Sequence, residues 1–370
     1  MIRRGVPVLA AILSAALAIA GPARADPDRE RACLLLERPR HVAPVIALEG
    51  PAHAGTDRAA EPFALAMMTA AAAWRGLGDA AAAEDAVNEL RRWQQADALR
   101  VIGEAGPDRS NTNSIYSLRR IVIALLGAWR DLESSPAGRA AAGEIEPWLA
   151  RLVARQDVAT GGARSRAAAT GVSNRNNHVL LRATVEAQWA ALAGRVDLAA
   201  RAYATAHTTL EGMRSDGSLP LETARGVRAL WYQRHAVASL VYLAELLAPF
   251  GFDLWQPRAD GADLHRAIAF LVDATGQPAR LAPYTGEEVA HRQDLGFLEP
   301  RGNGRNYMAW AELYRARFPD RPEAAALTRI LPHAGQPGWP LIDDYVGGNA
   351  TCRILTPVRA PQDRIVRHEH

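Results

Sequence analysis

The sequence predicts an all-α fold assembled from successive helical hairpins. Apolar residues recur at three- and four-residue intervals along most of the chain. Short links bearing Gly, Pro or Asp separate these stretches, and strand signals are scarce. The pattern predicts helices over 61–77, 80–99, 114–132, 144–154, 176–193, 196–213, 225–247, 263–272, 306–318 and 322–331. The first is Ala-rich and is expected to stop at Gly76 and Gly78. The second carries Val87, Leu90, Trp93 and Leu99 at helical spacing, and the third aligns Ile115, Leu118, Ile121, Val122 and Leu125 along one face. Short links make consecutive helices antiparallel neighbours. The best strand candidate is 352–356. No repeat of fixed period is present, which argues against a regular solenoid.

Residues 1–25 read as a secretory signal: Arg3 and Arg4, an apolar run over 8–20, then Ala23-Arg24-Ala25 as a small-x-small cleavage site. The run is too short to span a bilayer, which takes about 20 apolar residues. The expected mature protein is one domain over 26–370, working in the periplasm as a monomer. The 43 basic side chains are all Arg and face 40 Asp and Glu, for a net charge of +3. No basic run interleaved with aromatics appears, so nucleic acid is not an expected partner, while a local arginine-lined cleft for a polyanion fits. The two cysteines, Cys33 and Cys352, are expected to pair in an oxidising compartment. They are too far apart for a zinc site, and the histidines show no metal-ligand spacing, so no metal and no cofactor are expected.

The most unusual chemistry lies within 218–247. Arg225, Arg228, Tyr232 and His235 stand at i, i+3, i+7 and i+10, one narrow face of a single long helix. Two guanidiniums, a phenol and an imidazole are costly to bury unpaired, so that face is expected to line a wet cleft. Upstream, Ser173-Asn174-Arg175-Asn176-Asn177-His178 opens another helix with good N-cap residues. Asn177 and His178 would then sit where unpaired N–H groups welcome a carboxylate.

Asn176-Asn177-His178, followed by Leu219-Pro220-Leu221-Glu222 and the run from Ala224 to Tyr232 (ARGVRALWY), resembles the alginate lyase family of periplasmic poly-mannuronate lyases. The likeness continues through most of the mature chain, including WAELYRARF from Trp310 to Phe318. It implies an (α/α) toroid, an incomplete barrel of helical hairpins around a cleft. It also implies Asn177, His178, Arg225 and Tyr232 as catalytic residues, Asn176 and Arg228 beside them, and an anionic polysaccharide substrate. The chain departs from the family at Leu180 and Leu181, where an aromatic pair is usual, and at Gln233, where a histidine is frequent. Its first tyrosine is Tyr116 and it has no Lys, although the family's lid supplies a tyrosine and basic groups. These differences are expected to fall on positions that grip the sugar. The loops heading other helices would add Asn113 and Arg305 as substrate contacts. Residues 40–60 and 157–170 are candidate lid loops.

Such a site suits β-elimination on a uronate. The reaction needs a neutralised carboxylate (Arg225, Asn177), a base for the C5 proton (Tyr232, or His178), and an acid for the departing O4 (Tyr232). A glycosidase would need two carboxyl groups across the bond; Glu222 and Asp216 are near, without a convincing pairing. The expected target is mannuronate-rich alginate. The alternatives are another polyuronate such as glucuronan, or a non-catalytic periplasmic polysaccharide-binding protein.

Overall fold

The computed structural model describes residues 27–35, 41–48, 56–102, 112–158, 176–301, 305–331 and 340–356. The signal segment, 159–170 of the second loop and 49–55 of the first lie outside the described residues. The chain is helical almost throughout, with only two two-stranded pairings among the described residues. The helices used below are α1 (Pro27–Cys33), α2 (Thr56–Leu77), α3 (Ala80–Gln95), α4 (Thr112–Leu132), α5 (Pro136–Val158), α6 (Asn177–Ala193), α7 (Val196–Glu211), α8 (Pro220–Thr223), α9 (Ala229–Leu247), α10 (Leu264–Gly276), α11 (Trp310–Arg317), α12 (Pro322–Ile330) and α13 (Ala350–Leu355).

They form two layers. In the inner one α2 packs on α4, α4 on α6, α6 on α9, α9 on α11, α11 on α13, and α13 returns to α2. Outside them, α3 and α5 pack on each other and on α2 and α4, α7 covers α6 and α9, and α10 with α12 covers α9 and α11. The sequence sorts the layers. On α9 nearly every residue from Gln233 to Leu247 is buried, and the run from Ala236 to Ala244 is apolar or small on every face but for Tyr242, so it lies inside. Helix α3 buries Val87, Leu90 and Trp93 along one stripe and leaves the rest to solvent. This arrangement is the (α/α) toroid.

The ring is closed by its last segment. Strands Ile342–Asp343 and Gly348–Asn349 pair antiparallel around a 3₁₀ turn, Asp344–Val346, which packs against α4 and α9. From α13, Arg353 donates to the Val346 and Gly347 carbonyls at 2.8 Å and to the Gly127 carbonyl of α4 at 3.0 Å. Asp131 of α4 accepts from Arg75 of α2 at 2.7 Å and from Arg353 at 3.4 Å. Burial opposes its ionisation, but Arg353 and Arg75 hold the carboxyl below its ordinary range. A side chain at Gly127 would strike the Gly347 carbonyl, so this crossing needs glycine.

Several local expectations are corrected. Residues 352–356 do not form a strand: Asn349 caps a helix there by accepting from the Cys352 N–H at 2.9 Å. Gly76 does not end α2. It lies inside the helix, where the position must be glycine because a β-carbon would fall 2.3 Å from the Cys33 sulfur, and the turn out of α2 comes at Gly78. Helix α3 stops at Gln95, since Asp97 and Leu99 adopt left-handed backbone. The Leu99 N–H then bonds to the Val45 carbonyl at 2.8 Å, leading into a parallel pairing of Ala47–Leu48 with Val101–Ile102. The long helix expected over 225–247 begins only at Ala229.

Cys33 and Cys352 are disulfide-bonded across 319 residues, tying α1 to α13 beside α2. Closing a loop this long restricts the unfolded chain by roughly 2–5 kcal/mol. The Cys33→Ser/Cys352→Ser protein should therefore melt roughly 3–7 °C lower by calorimetry. An unchanged melting temperature would show that the arginine-centred contacts close the ring unaided.

Candidate functional site

The inner helices bring their N-terminal ends to one mouth. Tyr116, in the second turn of α4, lies with its ring 5.3 Å from that of His178 in the first turn of α6 and 5.9 Å from that of His235 on α9. Arg120, one turn further along α4, reaches Glu61 near the start of α2. Polar side chains from four helices thus converge although each helix is otherwise apolar.

Helix α6 starts as its caps dictate. Asn176 is buried in extended backbone and its side-chain oxygen accepts from the His178 N–H at 3.2 Å. The Asn177 N–H donates to Glu222 Oε1 at 2.7 Å. The first donors of α6 are therefore taken by the chain's own groups, and the carboxylate expected at this helix terminus is that of Glu222. Asn176 is the N-cap, as the helix-start pattern predicts. Burial pushes the Glu222 carboxyl up to about 7, with the Asn177 N–H and Arg225 opposing the rise.

The structure brings His178, Arg225 and Tyr232 together. The Arg225 guanidinium carbon sits 4.0 Å from the centroid of the Tyr232 ring, a stacked cation–π contact. All three side chains are part-exposed. Burial, then Arg119 and Arg225, lower the His178 pKa to about 4, so its imidazole is neutral at ordinary pH. Arg119 also donates to the His178 carbonyl at 3.0 Å, fixing the backbone beneath the ring. Asn177 is joined differently. It is 1% exposed, and its amide nitrogen lies 2.5 Å from His235 Nδ1.

The four-residue stripe expected on one helix face is therefore corrected. Gly226 takes a positive φ of 60° and opens a 3₁₀ turn, Gly226–Arg228, before α9 begins. Arg225 precedes that turn and folds back over Tyr232. Arg228 is exposed and pairs with Asp294 at 3.6 Å. His235 is fully buried, with its ring edge-on to Tyr345 at 4.3 Å. Burial, Arg234 and His178 all hold it neutral. Asn113 falls in the first turn of α4, with its side chain outside the described residues. Arg305 lies at the mouth and pairs with Glu61 at 3.2 Å.

The family differences prove to be interior ones. Leu180 and Leu181 are wholly buried in the core. Gln233 is buried as well: it accepts from the Leu219 N–H and donates to the Gly217 carbonyl, each at 3.0 Å, pinning the turn before α8. None of the three is placed to grip a sugar.

Sequence reasoning missed several polar groups around the mouth. The Tyr116 hydroxyl is hydrogen-bonded to that of Tyr345, and burial pushes the Tyr116 phenol up to about 12. Arg234 is fully buried with its guanidinium carbon 4.7 Å from the Tyr307 centroid and 5.2 Å from that of Tyr345. Asp344 pairs with Arg120, and against the cost of burial Arg120 holds it well below the usual carboxylate range. Burial and the adjacent Asp344 push Asp343 the other way, toward its neutral form. A signal existed for Tyr116, three residues after Asn113 on one helix face. None existed for 343–345, which come from more than a hundred residues away. Among the described residues no cluster of His, Cys, Asp and Glu is arranged to hold a metal ion.

Comparison with known proteins adds the lineage. Solved structures of similar fold include alginate lyase A1-III from Sphingomonas species A1, 21% identical over 91% of both chains with a TM-score of 0.68. An alginate lyase from Bacteroides ovatus is 20% identical over 74% of this chain and 71% of that one, with a TM-score of 0.55. A curated polysaccharide lyase of Stenotrophomonas maltophilia is 29% identical over 255 residues, 66% of this chain; the chain spans 65% of that relative's length. The alginate lyase family model matches residues 22–281, which is most of the sequence, and the chain therefore belongs to the alginate lyase family.

Proposed function

We propose that this protein is a polysaccharide lyase that cleaves a uronic-acid polymer, mannuronate-rich alginate first among them, by β-elimination. The observation that carries the reading is the meeting of a neutral imidazole, a guanidinium and a phenol at the mouth of the toroid: His178, Arg225 and Tyr232. Membership of the alginate lyase family supports it, as does the curated polysaccharide lyase to which the chain is similar. Relatives of the same fold, variant forms of alginate lyase A1-III, have been solved with a tetrasaccharide bound.

The chemistry follows from the groups. Arg225 faces the uronate carboxylate and stabilises the charge that builds there as the C5–H bond weakens. The Asn177 amide assists from behind. One of its two N–H groups donates to the neutral His235 Nδ1, which holds the amide in place and leaves the second N–H for the carboxylate. His178, deprotonated above about pH 4, takes the C5 proton. The electron pair forms the C4–C5 double bond, the C4–O4 bond breaks, and the Tyr232 hydroxyl gives O4 its proton. Solvent then returns the proton from His178 to the phenolate. The products are one new reducing end and one unsaturated uronate end. Arg225 stacked on the Tyr232 ring fixes the orientation of the phenol, so donor and carboxylate clamp are set by one contact. Arg228, at the exposed rim, is a peripheral contact for the polymer, and Arg305 a contact on the opposite wall.

We infer export through the N-terminal segment and a single domain over 26–370. No helix of the described residues is long and apolar enough to cross a membrane.

Tyr232→Phe should lower kcat on poly-mannuronate by at least about a thousandfold, read as absorbance of the unsaturated product, while binding by calorimetry stays within about threefold. New reducing ends without that absorbance would mean hydrolysis instead. Loss of binding together with turnover would mean the phenol is misassigned. The second expectation is a pH profile. His178 is the base in its neutral form and its pKa is lowered, so log kcat/KM should stay level from neutrality down to about pH 5 and fall below about pH 4. An acid limb near 6.5 would show His178 to be unperturbed, and a profile unchanged by His178→Gln would remove it from the proton path.

A further inference from the structure

Three guanidiniums converge on a single carboxylate beside the proposed catalytic groups. Glu61, in the second turn of α2, is met by Arg120 of α4 at 3.2 Å, Arg305 at 3.2 Å and Arg301 at 3.8 Å. The Arg305 and Glu61 side chains are 19% and 21% exposed, at the edge of a narrow recess that Met68, Ser117, Arg120 and Asp344 also line. Asp344 balances Arg120 from below, and Asp343 is held toward its neutral form by burial and Asp344. Glu61 and Asp344 both face these guanidiniums, and Glu61, with its side chain 21% exposed against 11% for Asp344, is the one nearer the opening. The cluster joins the mouth through Tyr116, whose ring centroid is 5.5 Å from the Arg120 guanidinium carbon and 5.3 Å from the ring of His178.

We propose that Arg120, Arg301 and Arg305 form a second carboxylate-binding site for the polymer, and that Glu61 is its resident counter-ion, displaced when a neighbouring uronate enters. This rests on the uronate-lyase reading above. A guanidinium fork accepts a sugar carboxylate with the same geometry as a glutamate, so the incoming group replaces one anion with another at little electrostatic cost. Glu61 is built to yield. Pro62 follows it inside α2, has no N–H, and leaves the carbonyl four residues earlier without an intrahelical donor. The turn that carries Glu61 therefore has one hydrogen bond fewer than a regular helical turn. The site also has a selective consequence: with Glu61 in place the arginines are closed to stray small anions, and a polymer that delivers two carboxylates at once displaces it through effective concentration.

The test is calorimetric titration with poly-mannuronate in the Tyr232→Phe background, so that binding is read without turnover. Glu61→Gln should tighten binding about three- to tenfold at low salt, with the gain shrinking as salt rises. Arg305→Gln should weaken it by a similar factor. Equal affinity with and without Glu61→Gln overturns the second site while leaving the lyase reading intact. So does weaker affinity accompanied by a lower melting temperature, which would make Glu61 a structural anchor. Should Glu61→Gln fail to fold, Arg301→Gln decides: loss of affinity upholds the site and unchanged affinity overturns it. Failure of any polyuronate to bind, with Glu61 or Gln at this position, overturns both readings.

Discussion

The ring must be closed before it has an inside, and closure rests on Arg353. Its guanidinium gathers carbonyls from the 344–347 turn and from α4, while Asp131 couples it to Arg75 on α2. A buried guanidinium left without these acceptors would be strongly destabilising, so the contacts form together or not at all. Gly127 and Gly347 give the turn room to lie against α4, and the Cys33–Cys352 bond holds the same seam from outside. Once the seam is shut, Asp343, Asp344 and Tyr345 are driven into the middle of the molecule. There they meet Arg120, Arg301, Arg234 and Tyr116.

That interior is more charged than a hydrophobic core tolerates unless every group finds an opposite or an aromatic face. Arg234 lies among tyrosine rings, Arg120 is matched by Asp344, and Asp343 gives up its charge. The same low-dielectric surroundings keep both His178 and His235 neutral. In the proposed β-elimination, a site that removes a weakly acidic proton beside a carboxylate benefits twice. Its base is unprotonated, and its guanidiniums act through a medium that screens them poorly.

The site also shows how a helix terminus can be spent. The N-terminal donors of α6 have partners inside the chain: Glu222 takes the Asn177 N–H and Asn176 takes that of His178. What α6 offers is rigidity, with two adjacent side chains fixed at the head of a packed helix. In the proposed function, anion recognition falls to arginines on other elements. Arg225 precedes α9, at the 3₁₀ turn that Gly226 opens, and Arg305 precedes α11.

Much was legible in the sequence because it was local. The helical periods, the short links, the Asn176 cap and the paired cysteines each depend on neighbours in the chain or on composition. Motif likeness named Asn177, His178, Arg225 and Tyr232 before their positions were visible. What the sequence misjudged was long-range. It ran one helix from 225 to 247, where the positive φ at Gly226 breaks the path and turns Arg225 back over Tyr232. It placed the family departures Leu180, Leu181 and Gln233 at sugar-gripping positions, whereas packing directs all three inward. Glu61 facing Arg305, or Tyr345 beside Tyr116, pairs residues 244 and 229 positions apart. No periodicity encodes such a pairing: it exists only when the ring closes, because closure alone determines which buried charges must neutralise one another.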